Sequence, residues 1–396
     1  MFDEAEPSSD CSRNLDYRVQ GLAPGAGLWW FVAGLCIDFW GAVLYNSGRF
    51  RFEPGFERML IMDNRQIRFV APGVAEVVPV SVGEPGRGQV LVRICVSSIS
   101  SGTERANLVG NPNVGITGAG GVHFPRISGY SSAGVVERVG EGVTEFALGD
   151  RVSLSWSTHT NYIVMDVRNV HHIGGLPFEA GALVHIATFP MAAVRKTRVE
   201  IGESLVVMGL GVLGMIAVRL SRLAGACPVI AVDPNAERRE KALKFGADFA
   251  LDPFAPDFAE TVKKLTNGGA RCAIEVTGNG KALDEVLDCM ARFGRVALLG
   301  CTRESDFTID YYRKVHGPGI TLIGAHTLAR PARDSSSGWW TEWDDEEAVI
   351  RLMRNGRMNL ADMVEKTEKV DDAPEVYARL ANEKSFPITQ FNWEKE

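Results

Sequence analysis

Apolar positions along this chain follow two successive rhythms. From Gln66 onward the pattern is short and alternating: Gln66–Val70 and Glu76–Val82 read as half-buried strands, Gly83–Gly88 as a turn and Gln89–Ser98 as a strong strand. Gly129–Val139, closed by Gly140–Gly142, and Asp150–Ser155 continue the cadence, which predicts a small all-β barrel. A glycine-rich loop, Gly110–Gly121, interrupts it as a mobile or substrate-facing segment. After about Pro177 the period lengthens. A helix is predicted over Phe178–Val194, then strand Ser204–Gly209, helix Val212–Ala224, strand Pro228–Val232 and helices Ala236–Phe245 and Phe258–Leu265. Strand Cys272–Val276, helix Ala282–Ala291 and strand Arg295–Leu299 complete a βαβ series, which implies a parallel sheet. A helix near Asp345–Arg354 follows, and Ile388–Trp393 alternates like a strand returning to the first domain.

The first sixty residues stand apart. Residues 28–45 are apolar except for Asp38. The run is at the short limit for a spanning helix, a carboxylate inside it costs several kcal/mol, and no compact basic flank precedes it. Three readings stay open: an extension ahead of a true start at Met59 or Met62, an anchor or targeting segment, or an ordered part of the fold. The domains expected are therefore 1–61 as an extension of uncertain status, 62–187 with 325–396 as the barrel, and 188–324 as the parallel-sheet domain.

Composition is that of an ordinary globular protein, with 45% hydrophobic and 23% charged residues. A net charge of -7 and the lack of a basic stripe argue against a nucleic-acid partner. Seven cysteines lie singly, with no CxxC pair, which suits reduced thiols in the cytoplasm better than a disulfide framework or a zinc knot.

The sharpest chemical signal is Gly209-Leu210-Gly211-Val212-Leu213-Gly214, set between a strand and a helix. In that context GxGxxG is a dinucleotide fingerprint: one glycine makes the tight turn, the second admits the diphosphate, the third lets helix and strand pack. The helix start supplies free N–H groups to the phosphates. Asp233 ends the next strand, where a carboxylate binds both ribose hydroxyls and repels a 2′-phosphate. That favours NAD over NADP, although Arg238 and Arg239 stand close enough to meet such a phosphate. Thr277, Gly278 and Gly300 sit at later strand ends, where ligands lie on open α/β sheets.

From about Met62 to the end, the chain resembles the medium-chain dehydrogenase/reductase superfamily. The resemblance rests on Gly134-Val-Val-Glu-Arg-Val-Gly140, Gly149-Asp150-Arg151-Val152, the glycine loop with Asp233, Lys241–Asp248 and Glu275-Val-Thr277-Gly278. It implies an α/β chain pairing a GroES-like β-barrel with a Rossmann doubly wound sheet, an active site in the cleft between them, and a homodimer or homotetramer. Without residues 1–58 the chain has the usual family length, in keeping with a start at Met59 or Met62.

The zinc site of the best-known branch does not carry over. Where those relatives have Cys-Gly-(Thr/Ser)-Asp, this chain has Ser101-Gly102-Thr103-Glu104; where they have Gly-His-Glu, it has Gly129-Tyr130-Ser131. The third ligand falls near Val184. Serine, tyrosine and valine cannot replace thiolate, imidazole and thiolate around Zn²⁺, so no catalytic zinc is expected, with His185 and Glu104 as the residual donors. Thr103 aligns with the hydroxyl that relays the alcohol proton in zinc-bearing relatives, or else closes a local turn. Glu104 is a general base, an orienting carboxylate or an ion-pair partner of Arg105. Tyr130 donates to a substrate oxygen or fills the core. His185, on the helix into the second domain, accepts the hydroxyl proton or is structural. His171 and His172 read as solvated linker residues, and His159 as a residue of an aromatic loop bordering the cleft.

The expected activity is zinc-independent hydride transfer between a nicotinamide cofactor and a secondary alcohol or ketone, sugar-like or cyclic. Two alternatives stand beside it: an NADPH-dependent enoyl- or quinone-type reductase, and a non-catalytic NAD(H)-binding protein.

Overall fold

The computed structural model describes residues 64–111, 123–303, 305, 307–335, 339–383 and 385–394. The apolar segment 28–45 and most of the loop Gly110–Gly121 lie outside these residues. Among the described residues, no helix is long and apolar enough to cross a membrane.

The alternating part of the chain folds as strands β1 (Asn64–Ala71), β2 (Val74–Val80) and β3 (Gln89–Ser98), helix α1 (Ser101–Leu108), and strands β4 (Arg126–Ile127), β5 (Ser131–Val139), β6 (Arg151–Ser155), β7 (Tyr162–Asp166) and β8 (Val170–His172). The helix predicted over Phe178–Val194 is broken in two, α2 (Phe178–Gly181) and α3 (Val184–Thr197). Pro190 lies inside α3, whose residues are buried except Arg195 and Lys196 in its last turn. The parallel part comprises β9 (Leu205–Met208), α4 (Val212–Leu223), β10 (Val229–Val232), α5 (Ala236–Lys244), β11 (Phe249–Leu251), α6 (Phe258–Leu265), β12 (Ala270–Glu275), α7 (Gly280–Asp288), β13 (Met290–Leu298) and β14 (Thr321–Gly324). The chain closes with α8 (Glu342–Arg354), β15 (Lys366–Lys369), α9 (Ala373–Asn382) and β16 (Thr389–Asn392).

Strands β9 and β10 bury every residue, the near-continuous apolar run expected of a parallel sheet covered on both faces. Each fully buried Val or Leu contributes about 1.5–3 kcal/mol. The sheet runs β11-β10-β9-β12-β13-β14, all parallel. Its order reverses between β9 and β12, and the carboxyl ends of those two strands form the crevice where ligands bind in such sheets. The barrel strands run β15-β16-β3-β5-β6-β8, with β7 on β3 and a separate β2-β1-β4 sheet. The terminal strand does return to the first sheet: Gln390 pairs with Ser98 antiparallel.

Helix α7 begins at Gly280 and ends at Asp288, earlier than the Ala282–Ala291 the pattern suggests. Asn279 caps it, accepting from the Lys281 and Ala282 amides, and this cap sets its start. Helix α1 and strands β8, β11 and β15 are short or carry few apolar positions. By contrast α9, with Ala373, Val376, Tyr377 and Leu380 buried on one face, and β7 (Tyr162–Asp166) carry a readable pattern, although neither is among the elements predicted above.

Candidate active site at the mouth of the sheet

Strand β9 delivers the chain into the glycine loop. Gly209 has φ +97°, a conformation that favours glycine, and a Cβ at Gly214 would overlap the Gly209 carbonyl. A Cβ at Gly211, by contrast, would meet no atom within 4 Å. The loop is therefore closed on the protein side at Gly209 and Gly214 and open at Gly211, the shape a diphosphate needs. No side chain caps the start of α4 at Gly211, which leaves its first N–H groups available to an anion. Leu210 and Val212 turn their side chains into the core, and Leu213 packs against it, so any ligand meets their backbone.

Asp233 follows β10 and is 5% exposed. One oxygen accepts the Leu210 amide at 2.8 Å, the other the Asn235 amide at 2.8 Å. Arg238 stands 3.7 Å from it and donates to the Phe386 carbonyl. A cavity of about 290 Å³ opens here between the two halves, lined by Ser101, Gly211, Arg238, Lys241 and Pro387 among others. At the next strand end, buried Glu275 holds the turn that carries Thr277 and Gly278 by accepting both amides. Burial raises the Glu275 carboxyl above its ordinary value, partly offset by those bonds. Gly278 has φ +66°, and Cβ atoms at Gly278 or Gly300 would overlap neighbouring backbone. These glycines keep the two strand ends in close contact.

On the barrel side, three of the four candidate catalytic residues meet. Tyr130 and His185 pack edge to face, ring centroids 5.8 Å apart, and the Tyr130 hydroxyl interacts with the Ser100 and Thr103 hydroxyls. Burial pushes the phenol well above its usual value, so it stays a neutral donor. Trp156 and Phe189 complete an aromatic wall around His185, with centroids 4.6 and 5.1 Å from its ring. Glu104 lies behind this group at 2% exposure. One of its oxygens accepts the Ser100 amide at 2.8 Å, the other contacts His159 Nε2 at 3.1 Å and accepts from Tyr377. Arg105 does not pair with it but donates to the Leu380 and Glu383 carbonyls. His159 is 0% exposed within the barrel rather than on a cleft border.

His171 corrects the expectation of a solvated linker residue: it sits on β8 at 1% exposure, its ring 4.0 Å from that of Trp343. His172 beside it is exposed, as expected. Glu346, which sequence reasoning missed, joins His171 to His185. His185 Nδ1 lies 2.9 Å from Glu346 Oε1, the Ser155 hydroxyl donates to the same oxygen, and His171 Nε2 pairs with Oε2. The one sequence signal was the spacing of Glu342 and Glu346 on one face of a helix.

Two family models match the chain: an alcohol dehydrogenase GroES-like domain over residues 86–198 and a zinc-binding dehydrogenase domain over residues 212–336. The chain belongs to the zinc-type medium-chain dehydrogenase/reductase superfamily. Among curated relatives, D-guloside 3-dehydrogenase of Escherichia coli (strain K12) is 28% identical over 269 residues, covering 66% of this chain and 76% of its own. L-threonine 3-dehydrogenase of Pyrococcus horikoshii is 28% identical over 317 residues, 72% of this chain and 86% of its own. The structure of 2R,3R-butanediol dehydrogenase from Bacillus subtilis superposes with TM-score 0.69 at 22% identity, covering 84% of this chain and 100% of that one, and shows the same fold.

The superfamily's usual zinc does not fit the residues present. Ser101 and Tyr130 offer hydroxyls, and Val184, fully buried, offers no donor atom. His185, Glu342 and Glu346 do bring donor atoms within 4.8 Å of one another. They are already engaged: Glu346 as described, and Glu342 by the Trp156 indole N–H at 2.7 Å and Arg330 at 3.6 Å.

Proposed function

We propose that this medium-chain dehydrogenase/reductase oxidises a secondary alcohol, or reduces the matching ketone, with NAD(H) and without a catalytic zinc of the superfamily's usual kind. The observation that carries the cofactor half is the contrast within the glycine loop: open space at Gly211, none at Gly214. In this reading, backbone amides from Gly209 to Gly214 hold the diphosphate. Asp233 accepts from the adenosine ribose, with Arg238 at its side. Thr277, Gly278 and Gly300 border the nicotinamide end. The dinucleotide, when bound, supplies the hydride acceptor or donor.

The chain's own groups handle the oxygen. Tyr130, kept neutral by burial, donates to the substrate oxygen, with Thr103 beside it as the second hydroxyl. His185 takes the alcohol proton. Glu104, with its oxygens committed to Ser100, His159 and Tyr377, serves as a brace for the turn before Thr103 rather than as a base. Both curated relatives bear 3-dehydrogenase names, one for a sugar derivative, which puts sugar-like and cyclic secondary alcohols first among candidate substrates. Arg238, Lys241 and Lys244 line the same cavity as Gly211 and give a 2′-phosphate a partner, so NADP(H) is the second cofactor reading. The edge strand β14 exposes Thr321 and Leu322, the place we expect a dimer or tetramer to form, and the scattered thiols suit the cytoplasm.

The test is a panel of sugars, polyols and cyclic alcohols with NAD⁺ and NADP⁺, read at the reduced-nicotinamide absorbance, with an enone plus NADPH as the contrasting arm. Turnover of a secondary alcohol with NAD⁺ is expected. Turnover of the enone alone would replace this reading by a reductase, and tight NADH binding with no turnover by a binding protein.

A further inference from the structure

We infer that Glu346 and His171 are positioning residues that set the tautomer and orientation of the His185 ring. The inference deepens the proposed function, since it rests on His185 being the group that takes the substrate proton.

A carboxylate can only accept. With Glu346 Oε1 2.9 Å from His185 Nδ1, the imidazole proton must sit on Nδ1, and a neutral ring then carries its lone pair on Nε2. That Nε2 is buried and has no hydrogen-bond partner among the described residues. An unpaired buried nitrogen is costly, an arrangement that makes sense where a ligand supplies the missing proton. The ring's surroundings agree: Tyr130, Trp156 and Phe189 hold it edge-on, and Tyr130 links it to the Thr103 hydroxyl.

On the far side, Glu346 Oε2 pairs with His171, whose Nδ1 meets Glu347 Oε1 at 2.9 Å. Burial opposes a charge on His171, but the bonds to Glu346 and Glu347 outweigh it and raise its affinity for a proton. The same two imidazoles hold the Glu346 carboxyl below its usual range against the opposing effect of burial. His171 thereby anchors the far oxygen of Glu346 and fixes the near one against His185 Nδ1. The other charged groups facing this chain are few. Glu342 lies 3.7 Å from His185 Nδ1 and is itself met by Arg330, while Arg351 and Arg354 act on Glu347. In the forward reaction the alcohol C–H hydride goes to the nicotinamide and the O–H proton to His185 Nε2. The ketone leaves, and solvent removes one proton per turnover.

The experiment compares the full-length parent with Glu346→Gln, Glu346→Asp and His171→Asn. Glutamine can donate to Nδ1 and so move the ring proton to Nε2. We expect kcat for alcohol oxidation to fall on the order of 100-fold in Glu346→Gln. KM and NADH affinity should stay near the parent's, and Glu346→Asp should recover part of the loss. His171→Asn leaves Glu346 Oε2 without its imidazole partner, so kcat should fall about ten-fold with KM near the parent's. Ring ¹⁵N resonances of the ligand-free protein give an independent readout: His185 as the Nδ1–H tautomer in the parent, and changed in Glu346→Gln. Parental kcat and an unchanged tautomer in Glu346→Gln would overturn the inference, as would stoichiometric zinc bound at His185, Glu342 and Glu346. A parent that oxidises no alcohol would sink the proposed function instead, and the tautomer would still decide this inference.

Discussion

The Asp233 carboxylate accepts the backbone amide of Leu210 at 2.8 Å, so the acid that follows β10 is tied to the glycine loop that follows β9. One carboxylate thus orders the loop, beside the cavity that Leu210 and Arg238 line. Replacing Asp233 with Asn keeps the shape but removes the charge. A hydrogen bond to a charged group contributes about 1.5–3 kcal/mol, so KM for NAD⁺ should rise at least ten-fold while kcat changes little. The NADP⁺ to NAD⁺ ratio of kcat/KM should rise with it, because Arg238 would then face a neutral side chain. Unchanged kinetics with both coenzymes would remove Asp233 from the adenosine end.

Gly211 and Gly214 make opposite predictions from the same loop. A methyl at Gly214 would overlap the Gly209 carbonyl, and such overpacking costs about 1–3 kcal/mol. Gly214→Ala should therefore lower the melting temperature. Gly211→Ala should melt with the parent, since nothing lies within 4 Å of the added carbon. Its NADH affinity should fall at least ten-fold, because the methyl fills the space left for the diphosphate. Calorimetry and NADH fluorescence titration check the pair.

How much of this was legible in sequence depended on whether the chemistry was local. The glycine loop and Asp233 belong to one βαβ unit, so six neighbouring residues and one strand end pointed to the fold and to a nicotinamide-dependent family. The central parallel strands β9 and β10 were equally plain, because burial on both faces leaves no polar position to confuse the pattern. The His171–Glu346–His185 chain was hidden because it joins β8, α8 and α3, which only the packed fold brings together. Read alone, His171 looked like a solvated linker residue, yet it is 1% exposed. Glu104 shows the same limit: its position in a family motif suggested a base, and only the contacts from Tyr377 and His159 show its oxygens occupied.

Cys301 offers a chemical probe of the cleft. It is exposed, follows Gly300 and contributes to the electrostatic surroundings of the Tyr130 phenol. Cys227 is also exposed but precedes β10, at the opposite end of the sheet. Burial pushes the thiols of Cys95, Cys272 and Cys289 up to about 12, 11 and 12. Iodoacetamide should therefore label Cys301 and Cys227 first among these five. Saturating NADH should slow Cys301 at least several-fold and leave Cys227 unchanged, as read by peptide mass spectrometry. Equal labelling of Cys301 with and without NADH would place the nicotinamide elsewhere.

The buried pairing of Glu346 with two histidines also makes stability depend on pH in a defined window. Glu346 is held below its unfolded value, so its contribution is present above about pH 4.3 and is lost as pH falls through the depressed native value. His171 is raised, so its contribution is complete below about pH 6.5 and is lost as pH rises through the raised native value. The two overlap fully between roughly pH 5 and 6.5. Removing one partner of a buried pair costs about 3–5 kcal/mol, and Glu346→Gln should show its largest loss of melting temperature within that window. The gap to the parent should narrow on the acid side, where the parent's carboxylate is protonated, and again on the alkaline side, where His171 is neutral. Melting curves of both proteins across this range decide it: a gap that does not vary with pH would mean that the carboxylate and the imidazoles do not share charge in the native state.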